Sequence, residues 1–211
     1  AKLTNANFSN SIMIGVNFEK AYLDNSNFPN SDLTGAQMRY VSMVNSTLIG
    51  ANLEHTYISN SNLSFTKLSN TDLFNVNLFK VNLTSADLSN SDLTRSYLYG
   101  SNFHNANLIN SIFYQSELAY TDLSFADLSN ANLIQSDLIS ANLTGANLSG
   151  SDLSLSYSKN AIFTDIKIND NTKLDNCFEK SLIDRAVCNI FRNIIPDSPP
   201  FYGSLRDAYR D

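Results

Sequence analysis

Two histidines, His55 and His104, are the residues in this chain best suited to chemistry, because imidazole can ligate a metal or move a proton. They lie far apart in the sequence, and a metal site needs ligands that converge. Aspartates spaced five apart, such as Asp87/Asp92 and Asp122/Asp127, could in principle share acid and base roles. Serines are abundant, but none stands in a pattern with a His–carboxylate pair. No phosphate-binding loop or dinucleotide fingerprint occurs. Cys177 and Cys188 fall on what reads as one helix, roughly 16 Å apart at ~1.5 Å per residue, too far to pair. Two cysteines of this kind fit a reducing, cytoplasmic compartment. These residues imply no catalytic, cofactor-binding or metal-binding set, and an enzyme is not expected.

What positions them is a repeat. From Ser91 to Leu153 the chain reads SDLTR, SYLYG, SNFHN, ANLIN and onward in fives. Counting in fives from Leu3 to Leu153, the central residue of every unit is Leu, Phe, Met or Ile. Two residues earlier, from Ala1 to Ala161, every position is Ala, Ser, Thr or Val. A position restricted to large apolar groups faces a dry interior, and one restricted to small groups faces it where space is tight. The other three columns tolerate Asp, Asn, Lys, Tyr and Gly, so they look outward. Two inward residues in five require the backbone to turn a corner every five residues. Gly15, Gly35, Gly50, Gly100, Gly145 and Gly150 all occupy the last column, together with many Asn, where a corner favours positive φ. Neither the helical period of 3.6 nor the strand period of 2 fits, and a unit of fixed length stacked on copies of itself does.

Bulk composition agrees. Of 211 residues, 43% are hydrophobic and only 16% charged, with a net charge of −6 that argues against binding nucleic acid through phosphates. No apolar run is long enough to span a membrane.

Units such as ADLSN (126–130), ANLTG (141–145) and ANLSG (146–150) resemble those of the pentapeptide-repeat proteins, over about 168 of the 211 residues. The resemblance implies an all-β solenoid, a right-handed quadrilateral β-helix with four units per coil. About eight coils over residues 1–168 would make a rod roughly 40 Å long at ~4.8 Å per coil. Residues twenty apart then stack. After the central position, two neighbouring sides are mostly polar, whereas the other two carry Phe74, Tyr114 and Ile134 beside Phe79, Tyr99 and Ile139. These six residues are read as one contiguous partner patch. The function expected is that of a non-catalytic binding or scaffold protein with a protein partner.

The resemblance also implies an alternative, a DNA mimic inhibiting type II topoisomerases such as DNA gyrase. Its acidic surface would be Glu117, Asp122, Asp127, Asp137 and Asp152, in a stretch from 96 to 158 without Lys or Arg. Residues 169–211 read as a linker, an amphipathic helix over about 176–195 and a tail. Phe178, Leu182, Val187, Ile190, Phe191 and Ile194 form the helix's apolar stripe, expected to cap the last coil or to join two copies as a homodimer.

Overall fold

The computed structural model of the protein describes residues 1–174. Each five-residue unit contributes one short extended segment and one corner. The outward residue before each centre pairs in parallel with the residue twenty positions on, from Lys2 with Tyr22 to Asn147 with Lys167. Four units therefore make one coil. The coils are joined by backbone hydrogen bonds that point along the stack: Leu3 N–H donates to Tyr22 O at 2.8 Å, and Tyr22 N–H donates to Ala1 O at 2.9 Å.

The corners follow from the same pattern. The carbonyl of most centres accepts the N–H three residues on, as Leu3 O does from Ala6 at 3.1 Å. Every residue in the last column, from Asn5 to Asp165, has φ between 52° and 75°. Positive φ at the third residue of a four-residue turn is the type II pattern, which also welcomes proline at its second residue, where Pro29 stands. Asn and Gly dominate the column because they tolerate the left-handed conformation best.

The interior is as the two restricted columns require. Leu23, Leu33, Leu83, Phe103, Leu108 and Leu133 have no solvent exposure, and the small column beside them is buried as well. Serine and threonine are admitted there because their hydroxyls donate to centre carbonyls. Ser31 Oγ donates to Phe28 O at 2.7 Å, and across coils Thr56 Oγ1 donates to Leu33 O at 2.9 Å. A buried hydroxyl with a partner costs little, and without one it would cost about 1–3 kcal/mol.

The rod extends further than the period suggests. Residues 169–173, expected to be a linker, close onto the final coil. Lys173 pairs with Asp152, so this turn of the backbone carries one extra residue. Leu153 N–H donates to Lys173 O at 2.8 Å, while Gly150 N–H donates to Asn169 Oδ1 at 2.9 Å and to Thr172 Oγ1 at 3.1 Å. Polar contacts hold this segment, which is why an apolar period does not detect it. The chain divides into Ala1–Lys173 and Leu174–Asp211. The helix expected over 176–195, with Phe178, Leu182, Val187, Ile190, Phe191 and Ile194, lies outside the described residues.

Candidate protein-binding surface

The four sides are numbered by their first centres: Leu3, Phe8, Met13 and Phe18. On the first three sides the outward residue before the centre is usually Asp or Asn, and its carboxylate or amide oxygen has a structural task. Asp122 Oδ1 accepts Ser124 N–H at 3.0 Å, Asp127 Oδ1 accepts Ser129 N–H at 3.0 Å, and Asn132 Oδ1 accepts Ile134 N–H at 3.0 Å. The amide of the next coil adds a second donor: Asn142 Nδ2 to Asp122 Oδ1 at 3.2 Å, and Asn147 Nδ2 to Asp127 Oδ1 at 3.1 Å. These side chains cap the corner in the manner of an Asx turn.

That geometry changes the acidic surface expected from sequence. Glu117 and Asp137 are 3% and 1% exposed, paired in the ladder between Tyr97 and Tyr157 on the fourth side, and so present no open charge array. Asp137 Oδ1 accepts Ile139 N–H at 2.9 Å. Asp152 is paired with Lys173 at 2.9 Å. Burial pushes the Asp152 carboxyl up, but hydrogen bonds from the Ser154 hydroxyl, Lys173 and the Ser154 N–H, with the Lys173 charge, hold it below its ordinary value. Asp122 and Asp127 are half-buried, and their carboxylates accept backbone and amide N–H groups.

The apolar patch resolves into two strips. On the fourth side Phe79, Tyr97 and Tyr99 stack face to face, with centroids 5.7 Å apart for Phe79–Tyr97 and 5.9 Å for Phe79–Tyr99. Tyr120, at the adjoining corner, lies 5.1 Å from Tyr99. Lys80 Nζ sits 4.9 Å from the Phe79 centroid. Ile139 continues this strip, half-buried. On the third side Phe74 meets His55 edge-on at 6.0 Å, and Tyr114 and Ile134 are half-buried further along. Between the strips runs a polar ridge at the corner. Arg95 Nε donates to Gln115 Oε1 at 3.1 Å and Gln115 Nε2 to Gln135 Oε1 at 2.9 Å. The six residues read as one contiguous patch are therefore split by a hydrogen-bonded amide ladder.

The histidines stay separate. His55 contacts Glu54 at 3.2 Å and Asn75 at 2.8 Å, whereas His104 Nδ1 meets Ser124 Oγ at 2.8 Å. The Ser124–His104 contact is one the sequence reading missed, since it joins residues twenty apart; Asn102, not a carboxylate, supports the His104 backbone, at 2.8 Å. Among the described residues no group of three or more His, Cys, Asp or Glu could hold a metal ion, and no helix is long and apolar enough to cross a membrane.

Another feature escaped the sequence reading. Tyr40, Phe65, Tyr120 and Phe125 occupy left-handed corners, with φ of 60°, 60°, 61° and 58°, and each is exposed. An aromatic ring in a column rich in Asn and Gly was the signal available.

Comparison with known proteins places this geometry. A family profile described as pentapeptide repeats, in 8 copies, matches residues 1–39, 36–75, 77–114 and 116–154. Among solved structures, HetL from the cyanobacterium Nostoc sp. strain PCC 7120, a pentapeptide repeat protein involved in heterocyst differentiation regulation, is 31% identical. That match covers 82% of this chain and 76% of HetL, with a TM-score of 0.68. QnrB1, a plasmid-mediated fluoroquinolone resistance protein, is 17% identical over 75% of this chain and 92% of its own, with a TM-score of 0.46. Rfr23 from the cyanobacterium Cyanothece 51142 is 27% identical over 56% and 64%, with a TM-score of 0.29. No curated protein matches the chain in sequence.

Proposed function

The chain belongs to the pentapeptide-repeat family, and from that premise we propose that it is a non-catalytic scaffold whose fourth side binds a protein partner. The observation that carries this reading is the stacked strip of Phe79, Tyr97, Tyr99 and Tyr120, set on a rigid coil. Aromatic residues offer a large contact area for little loss of side-chain freedom and dominate binding energy at protein interfaces. Among the described residues the centre side chains fill the interior of the coil, where a substrate cavity would otherwise lie. HetL, one of the structurally similar proteins, is described as involved in heterocyst differentiation regulation, which suits a binding surface better than a reaction. The DNA-mimic reading is not adopted, because Glu117 and Asp137 are buried and Asp152 pairs with Lys173, which leaves only two of its five carboxylates for a duplex-like array.

The test compares affinity capture by the wild-type protein, by Phe79→Ser/Tyr99→Ser, and by Ser69→Ala/Ser89→Ala on the polar second side. The reading expects a partner retained by wild type and the serine pair but lost from the aromatic pair. A partner held equally by all three contradicts it.

A further inference from the structure

Four aromatic residues sit in left-handed corners, a conformation that is unfavourable for a bulky L-residue. Tyr120 and Phe125 are 55% and 58% exposed. They are consecutive corners, one on each edge of the first side of the same coil. Each is followed two residues on by an outward carboxylate, Asp122 after Tyr120 and Asp127 after Phe125. The Phe125 ring is fixed from two directions. His104 meets it edge-on at 5.6 Å, and it lies so close over Gly145 that a Cβ there would stand 2.7 Å from the ring.

The other two corner aromatics are furnished differently. Tyr40 has Lys20 of its own chain 5.8 Å from the ring centroid, and Phe65 is followed two residues on by Lys67 instead of Asp. Phe79, at the edge of the same region, carries Lys80. From residue 96 to residue 158, which includes both corners, the chain supplies no Lys or Arg at all. An exposed aromatic ring with a carboxylate two residues on suits a guanidinium, which can stack on one and pair with the other.

We propose that the Tyr120/Asp122 and Phe125/Asp127 corners form a two-point receptor for arginine side chains on an extended segment of a protein partner. The protein nature of the partner rests on the function proposed above; the cationic specificity rests separately on the exposed rings, the carboxylates that follow them and the lack of Lys or Arg in this stretch. The backbone holds the rings out, and the cation comes from the partner.

The probe is a capped (Arg-Gly)4 peptide, with (Gln-Gly)4 as control, titrated calorimetrically at low salt against the full-length protein. Saturable binding is expected for the arginine peptide alone. Tyr120→Asn/Phe125→Asn should weaken it about five- to thirtyfold, the value of two exposed cation–π contacts. Asn is the commonest occupant of this column, so the same double variant should keep its fold and melt about 2–4 °C higher. No saturable binding, equal binding of the glutamine peptide, or undiminished binding to the double variant overturns the proposal. So does a lower Tm for the variant, which would show that the rings serve the fold. Phe79→Ser leaves both corners in place and should still bind the peptide. Loss of the natural partner from that variant with peptide binding retained supports both readings. Retention of the partner by Phe79→Ser/Tyr99→Ser with peptide binding intact removes only the fourth-side reading.

Discussion

Replacing Leu88 by alanine tests the inward column in the most quantitative way. Leu88 has no exposure and stacks between Leu68 and Leu108, which are buried as fully. Removing its three outer carbons loses their transfer free energy and leaves a cavity that the rigid coils above and below cannot collapse to fill. Buried Leu→Ala changes cost about 2–5 kcal/mol. At roughly 2–4 °C per kcal/mol for a chain of this size, the midpoint should fall by about 4–20 °C. The neighbouring Ser89 points outward. Its own N–H donates to Asp87 Oδ1 at 3.1 Å, a bond that alanine keeps. Ser89→Ala should therefore change stability by no more than about 0.5 kcal/mol. Thermal melts followed by circular dichroism on the two variants and wild type suffice. Midpoints within about 2 °C of one another would refute the assignment of inside and outside.

Three further outcomes follow from the corners and the rod's end. Asp127→Ala removes the acceptor of Ser129 N–H and Asn147 Nδ2 and should cost about 1–2 kcal/mol in a denaturant melt, whereas Asp127→Asn should be nearly silent; equal losses would argue against the capping role. Gly145→Ala should destabilise more than Gly35→Ala, because a Cβ at 145 meets the Phe125 ring at 2.7 Å and one at 35 meets nothing within 4 Å; adding Phe125→Asn should restore most of the difference. The depressed Asp152 carboxyl stabilises the fold fully above about pH 4, and this contribution is lost as pH falls through its folded value. Wild type should therefore lose more stability between pH 7 and pH 2 than Asp152→Asn does, and parallel losses would count against the Asp152–Lys173 pair.

Much of the fold was legible because only two columns in five face inward and they accept almost nothing but Leu, Phe, Met or Ile and Ala, Ser, Thr or Val. The corner conformation was legible from Gly35, Gly145 and the many Asn in one column. Residues 169–173 were not, since Asn169 and Thr172 hold the last turn through hydrogen bonds that leave no apolar signature. The partner surface was only half legible. Reading one column at a time brings Phe79 to Tyr99, but it hides the Arg95–Gln115–Gln135 ladder that separates them from Tyr114 and Ile134. It also takes every outward Asp for free charge, when Asp122 and Asp127 are caps first. Tyr120 and Phe125 were legible only as aromatic rings in a column rich in Asn and Gly, and their φ values place both in the left-handed region.

The most direct test of a binding role for the fourth side is site-specific photocross-linking. Benzoylphenylalanine is placed in turn at positions 79, 99, 89 and 129, and adducts are read by mass spectrometry after irradiation in the native extract. The account predicts one partner captured from positions 79 and 99 and none from 89 and 129. Capture confined to 89 and 129, on the polar second side, would contradict it.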